Sequence, residues 1–187
     1  FSRRITPEEY VELVSRDEIT SVLAKHSVQP GDVFFLPAGR VHAIGAGCYL
    51  AEIQQTSDIT YRIYDYNRPG LDGKPRQLHT QEAKDAIDYG VYPDYRTHYE
   101  PKKDSEVTLV DCPYFRTCLL DLDAPFSRGF DERSDFVALV CMEGSCTVRT
   151  DMGCAGLNAG ETLLLLQSDG KFMVEPQGKA KLLSAER

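Results

Sequence analysis

The sequence predicts a mainly β protein built of sandwich or small-barrel units, with short helices at its N-terminus and near the middle of the chain. Three observations lead there. From Gln29 onward apolar residues come in short β-rich runs separated by Gly, Pro and Asp. A second series begins after Glu106, with turn residues at intervals suited to an antiparallel sandwich or barrel. Helical spacing of apolar residues is confined to the stretch before about Lys25 and to a short segment after Thr80.

Thr6-Pro7-Glu8-Glu9 has the form of a capping box, with Thr6 at the cap and Pro7 at the first helical position. Tyr10, Val11, Leu13 and Val14 give the helix its apolar stripe. Ser15-Arg16-Asp17-Glu18 repeats the capping pattern, so a second short helix is expected to about Lys25. Strands are expected over 33–36, 41–44, 48–55 and 59–64. The Gly- and Pro-rich stretch 67–75 reads as a surface loop, and Thr80 as the cap of one more helix to about Asp88. A Tyr- and Pro-bearing passage follows and reads as a linker, so the domains are placed at 1–105 and 106–187. Strands then return over 107–110, 115–122, 136–142, 145–150, 162–166, 172–174 and 181–183. Phe34, Phe35 and the run 163–166 look like core. The two halves echo each other: Gln29-Pro30-Gly31-Asp32 before one strand resembles Asn158-Ala159-Gly160-Glu161 before another.

Composition narrows the function. The chain has 187 residues, with 21 Lys+Arg against 29 Asp+Glu, a net charge of −8 and no basic block. Binding to a nucleic-acid backbone is not expected of such a surface. No apolar run approaches the roughly 20 residues that cross a bilayer, and Phe1-Ser2-Arg3-Arg4 lacks the apolar stretch of a signal peptide. No membrane partner is expected, and the cytoplasm is the default location. Six cysteines without a CxxC spacing, most of them in apolar strand-like runs, read as small core hydrophobes rather than as disulfides or a zinc cluster.

The most informative stretch runs from Gly31 to His42. Strand 33–36 is followed by a tight turn at Pro37 and Gly39 and a return strand carrying His42. On that strand His42 shares a face with Ile44. A lone inward His is more often a hydrogen-bonded core residue than a metal ligand. In 48–55, alternation puts Glu52 and Gln54 on one face. A three-residue hairpin loop at Thr56-Ser57-Asp58 would place Glu52 opposite Arg62. A solvent-facing ion pair is the plain account of these charges, worth about 1 kcal/mol or less. A strand pair bearing Glu, Gln, Arg and Tyr is nonetheless polar for a small barrel, and suits a small polar ligand.

Gly31 to His42 resembles the second cupin motif, G(X)5PXG(X)2H, at every fixed position; the usual terminal Asn is Ala46. The resemblance implies double-stranded β-helix (cupin, or jelly-roll) units. The longer runs 31–44 and 50–68, ending in Thr60-Tyr61-Arg62-Ile63-Tyr64-Asp65-Tyr66-Asn67-Arg68, together with Arg76-Gln77-Leu78-His79, are similar to the zinc-dependent type I mannose-6-phosphate isomerases, in particular their short bacterial branch. By that resemblance the chain corresponds to the C-terminal part of such an enzyme. The first unit is then an incomplete catalytic cupin, and the second, which has no histidine after Glu106, a cupin-like domain without metal ligands.

The resemblance also implies roles. His42 becomes a zinc ligand, Arg62 the catalytic arginine, and Glu52 part of the active-site lining with an acid/base or orienting role. The family's activity interconverts mannose 6-phosphate and fructose 6-phosphate by proton transfer through an enediol, so a sugar phosphate is the expected partner. One Zn2+ is the implied cofactor, its other ligands expected upstream of Phe1, because one His cannot make a stable zinc site. The chain alone is then expected to be inactive, and its exposed strand edges to favour self-association. The rival reading is a non-catalytic sugar-binding or regulatory cupin.

Overall fold

The computed structural model describes residues 1–56, 59–66, 68–130 and 134–187. Helix α1 (Pro7–Ser15) starts where the sequence marks it. Thr6 has an extended backbone and its hydroxyl accepts from Glu9 N at 3.2 Å, satisfying one of the amides a helix start leaves unpaired. The helix ends at Asp17, whose φ of +59° is left-handed. Glu18 N donates to Leu13 O at 2.8 Å and Asp17 N to Val14 O at 3.1 Å, the two bonds of a Schellman stop. The second helix expected here is therefore reduced to a single 3-10 turn, Ile19–Val22. Ser15 to Glu18 has the composition of a helix start, yet its Asp occupies the left-handed position that closes the preceding helix.

The chain forms two units, Phe1–Arg96 and Thr97–Arg187. In the first, Phe1, Ile5, Tyr10, Ile19, Val22 and Ala83 are buried together between α1, the 3-10 turn and helix α2 (Thr80–Ala86). Helices of nine and seven residues are marginal alone, so this small core holds them. Full burial of an aliphatic side chain such as Ile19 is worth about 1.5–3 kcal/mol. Thr80, expected as the cap of α2, is its first helical residue; the cap is His79, which makes no side-chain capping bond.

None of the four strands expected between 33 and 64 joins a ladder among the described residues. Alternation assigns side chains to faces, but a strand also needs a neighbouring strand to take its amides and carbonyls. Apolar side chains of these segments stay largely exposed: Ile44 is 57% exposed, Tyr49 79% and Ile59 66%. Phe35, expected in the core, is 40% exposed. The expected hairpin loop 56–58 lies partly outside the described residues, as does the start of the loop 67–75. The rest of that loop closes by Gly70 N to Lys74 O at 2.6 Å and a bridge between Pro69 and Pro75.

The second unit is an antiparallel sheet. Its strands are β1 (Glu106–Asp111), β2 (Arg116–Leu122), β3 (Phe126–Arg128), β4 (Phe136–Thr150), β5 (Gly153–Asn158), β6 (Thr162–Leu166) and β7 (Phe172–Glu186). They run in the order β1-β2-β7-β4-β5, with β3 on β7 and β6 on β4. The runs expected at 136–142 and 145–150 are one strand, β4, with register shifts at Cys141/Glu143 and Gly144/Cys146. Those irregularities let one half of β4 pair β6 and the other β5. Likewise 172–174 and 181–183 are the two ends of β7. Strand β5 went unpredicted because Gly153, Ala155 and Gly156 carry little strand propensity. Leu120, Leu122, Leu139, Val148, Phe172 and Leu182 form the centre of the core. Of the run 163–166 only Leu165 is buried; Leu164 and Leu166 point outward by the two-residue period. All six cysteines are free thiols, with Cys118, Cys141 and Cys146 buried as core residues, and burial pushes the Cys146 thiol up to about 11.

The echo between the halves is a shared turn. Asp32 N donates to Gln29 O at 3.1 Å while Gln29 N donates back to the Asp32 carboxylate at 3.1 Å. Glu161 N donates to Asn158 O at 2.9 Å and Asn158 N to the Glu161 carboxylate at 2.8 Å. Gly31 and Gly160 both take the left-handed conformation, with φ of 96° and 88°. Among the described residues no helix is long and apolar enough to cross a membrane.

Candidate functional site

Arg62 is half-buried, and its main chain is bracketed by one residue. His79 N donates to Arg62 O at 2.8 Å, and Arg62 N donates to His79 Nδ1 at 3.0 Å. Because Nδ1 accepts, the ring proton sits on Nε2. Arg62 Nη1 also donates to Gln77 O at 3.3 Å. Gln77 and His79 have a QxH spacing, and in this fold the Gln77 main-chain carbonyl and the His79 Nδ1 both accept from Arg62.

Three residues on, the chain is pinned by a carboxylate. Asp65 is only 6% exposed and accepts Arg76 Nε at 2.6 Å, Arg76 Nη2, and Arg68 Nη2 at 2.7 Å. Two cations on one carboxylate form a planar, charge-assisted clamp across the base of the 68–76 loop. Hydrogen bonding from Arg76, followed by that from Arg68, holds the Asp65 carboxyl well below the usual carboxylate range. A depressed folded-state value means that the clamp stabilises fully above the unfolded carboxylate value of about 3.9, and that this is lost as pH falls through the lower folded value. The gap in melting temperature between wild type and Asp65→Asn is therefore expected to be widest near neutral pH and to narrow by about pH 3. Parallel acid losses in thermal melts of the two proteins would contradict the clamp.

His42 follows the turn that the sequence predicts, closed by Arg40 N to Pro37 O at 3.1 Å with Gly39 at φ +82°. It is exposed, so it is not the buried core histidine that spacing alone favoured. Its Nδ1 lies 2.9 Å from Arg40 O. A carbonyl only accepts, so Nδ1 donates, and in the neutral ring Nε2 is the nitrogen that carries the lone pair. That is the arrangement in which a metal-binding imidazole is held by a backbone carbonyl. Glu52 is exposed, and among the described residues no ion pair joins it to Arg62. The opposition expected from the hairpin needs a ladder, and none is formed among the described residues of 48–64.

Both site segments lead to α2. Arg62 meets its N-terminal end through His79. At the other end Asp88 N donates to Gly39 O at 2.9 Å, and the Asp88 carboxylate pairs with Arg40 at 3.2 Å. Arg40 also lies over the Tyr92 ring at 4.4 Å and the Tyr95 ring at 5.2 Å. Sequence reasoning passed over Asp65 and Asp88. Their partners Arg40, Arg68 and Arg76 lie in the runs that resemble the isomerases, but nothing local in Arg76 or Arg40 announces a carboxylate 11 or 48 positions away.

No protein-family model matches the chain. It is 34% identical, over 91% of its length, to mannose-6-phosphate isomerase ManA of Bacillus subtilis. The chain is a homologue of the mannose-6-phosphate isomerases. It spans 54% of ManA and about half of the other curated relatives it matches over most of its length. Its fold matches the crystal structure of a mannose 6-phosphate isomerase from Bacillus subtilis with a TM-score of 0.73 at 21% identity, covering 97% of this chain and 57% of that one. A mannose 6-phosphate isomerase structure bound with zinc and yttrium matches 61% of this chain and 29% of its own, at a TM-score of 0.50 and 19% identity.

Zinc therefore occurs on a structural neighbour of this isomerase homologue. In the chain itself, the His42 ring is bonded to a carbonyl through Nδ1, which leaves Nε2 as the nitrogen that could meet a metal. Among the described residues no three His, Cys, Asp or Glu gather around one point. The described residues thus fit a single zinc ligand and not a closed site.

Proposed function

We propose that the chain is part of a mannose-6-phosphate isomerase, interconverting mannose 6-phosphate and fructose 6-phosphate in the cytoplasm. Residues 1–105 would belong to the catalytic cupin domain and 106–187 to a cupin-like domain without metal ligands. The observation that carries this reading is the 34% identity to ManA over 91% of the chain. The tethered guanidinium of Arg62 and the carbonyl-oriented imidazole of His42 support it.

In this reading His42 holds one zinc ion through Nε2, with further ligands from residues outside this chain. When bound, the zinc would act as a Lewis acid toward the sugar oxygens. A guanidinium stays charged throughout and is a poor base, so Arg62 stabilises the developing enediolate or the phosphate and places the sugar. Glu52 has a carboxylate free for proton transfer or for orienting Arg62. The exposed side chains of Ile44 and Tyr49 support self-association of the chain when it stands alone.

The test compares the full-length gene product with residues 1–187 alone. Aldose–ketose interconversion, abolished by a chelator and restored by Zn2+, is expected of the former, and an inactive, self-associating species of the latter. A full-length product that binds sugar phosphate without turnover would instead favour a regulatory cupin.

A further inference from the structure

We propose that helix α2 is the spacer that sets Arg62 against the turn before His42, and that His79 is the positioning residue at its N-terminal end. The inference rests on the isomerase reading of those two residues and adds how they are held. Among the described residues, Arg62 and the turn before His42 are joined through a rod of seven residues, about 10 Å long at about 1.5 Å per residue.

Each end of the rod is bonded to main chain, the least flexible attachment available. At the N-terminal end His79 uses three groups at once. Its N–H donates to Arg62 O at 2.8 Å, its Nδ1 accepts from Arg62 N at 3.0 Å, and its carbonyl accepts from Ala83 N at 2.9 Å inside the helix. Ser, Thr, Asn or Asp at this position would ordinarily turn its side chain onto the helix's own amides. His79 makes no such bond, and its ring is committed to Arg62.

At the C-terminal end Asp88 N donates to Gly39 O at 2.9 Å. A Cβ on Gly39 would lie 2.4 Å from Ala86 O, so the turn and the helix end approach as closely as only glycine permits. The Asp88 carboxylate fixes the same junction. It accepts from Gly90 N at 2.8 Å and from the Tyr92 hydroxyl at 2.9 Å while pairing with Arg40, the residue whose carbonyl orients His42. Midway, Ala83 is buried in the core shared with α1, which stops the rod from sliding. The result is an unbroken path from the carbonyl that aims the His42 imidazole to the backbone that carries the Arg62 guanidinium.

Misplacing a catalytic group by about 1 Å costs on the order of 100-fold in rate. In the full-length protein, His79→Ala is expected to lower kcat about 10- to 100-fold, with KM and bound zinc near wild type. The Arg62 amide loses hydrogen-exchange protection and the Asp88 amide keeps it. His79→Asn, whose amide oxygen reaches either the place of Nδ1 or the helix's own amides, restores kcat to the extent that it restores protection of the Arg62 amide. His79→Gln keeps the bulk but reaches toward the place of Nε2, so it shows the loss without leaving a hole, and it serves if the Ala variant does not fold. Wild-type kcat in His79→Ala or His79→Gln, beside an inactive Arg62→Ala, overturns the spacer alone. So does a loss that Asn does not relieve and that leaves the Arg62 amide protected. Retained turnover in Arg62→Ala overturns the isomerase reading of Arg62 and this inference with it.

Discussion

Replacing Arg62 by Ala in the full-length protein is expected to lower kcat by about 100- to 1,000-fold, the range for removing a group aimed at charge that develops in the transition state. Bound zinc is expected to stay near the wild-type level, because a guanidinium does not ligate a metal and Arg62 shares no hydrogen bond with His42 among the described residues. The direction follows from how Arg62 is held. Two bonds to His79 and one to Gln77 O fix the residue before substrate arrives, so little reorganisation is left for the reacting complex. Lys is expected to recover little. It keeps the charge but lacks the planar fork that addresses two oxygens together. Steady-state kinetics with metal analysis of the same preparations checks this, and full turnover in Arg62→Ala would remove Arg62 from the site.

His42→Ala is expected to abolish activity and strip the zinc together. Outer-shell partners of metal-binding histidines are worth about 10- to 100-fold in affinity, so loss of a direct ligand is expected to weaken zinc binding by more than about 100-fold. Stability is expected to change little in the metal-free protein, because His42 is exposed and its bond to Arg40 O is local, two residues back. That separates the variant from a folding defect: thermal melts of the metal-free proteins coincide while metal content and turnover fall. Zinc retained at the wild-type level in His42→Ala would show that the ion, if bound, sits elsewhere.

What was legible in advance was local. The Thr6 cap, the turn 37–40 and the loop after Arg68 each depend on residues within a few positions, where Thr, Pro and Gly have few alternative uses. The likeness of 31–68 and 76–79 to the isomerases pointed to the family, and ManA bears it out. Errors clustered where one residue's role is chosen by another far away. Asp17 ends a helix instead of starting one, and His79, not Thr80, caps α2. The strands expected over 33–64 have their alternating pattern but no ladder among the described residues. In the second unit, β4 and β7 run through breaker residues that local reading takes for turns, because each pairs with several partners at once.

By itself the sequence determined the mainly β class, the acidic surface and the turn that carries His42, since short-range sterics and residue chemistry decide all three, while Arg62 was singled out by the resemblance to the isomerases. Only the tertiary structure decided which groups hold them. The carboxylate of Asp65 between Arg68 and Arg76, the imidazole of His79 on the Arg62 backbone, and the Gly39–Asp88 junction all join residues 3 to 49 positions apart. Hydrogen bonds reach about 3 Å whatever the separation in sequence, so composition and periodicity carry no record of which partners the fold will bring together.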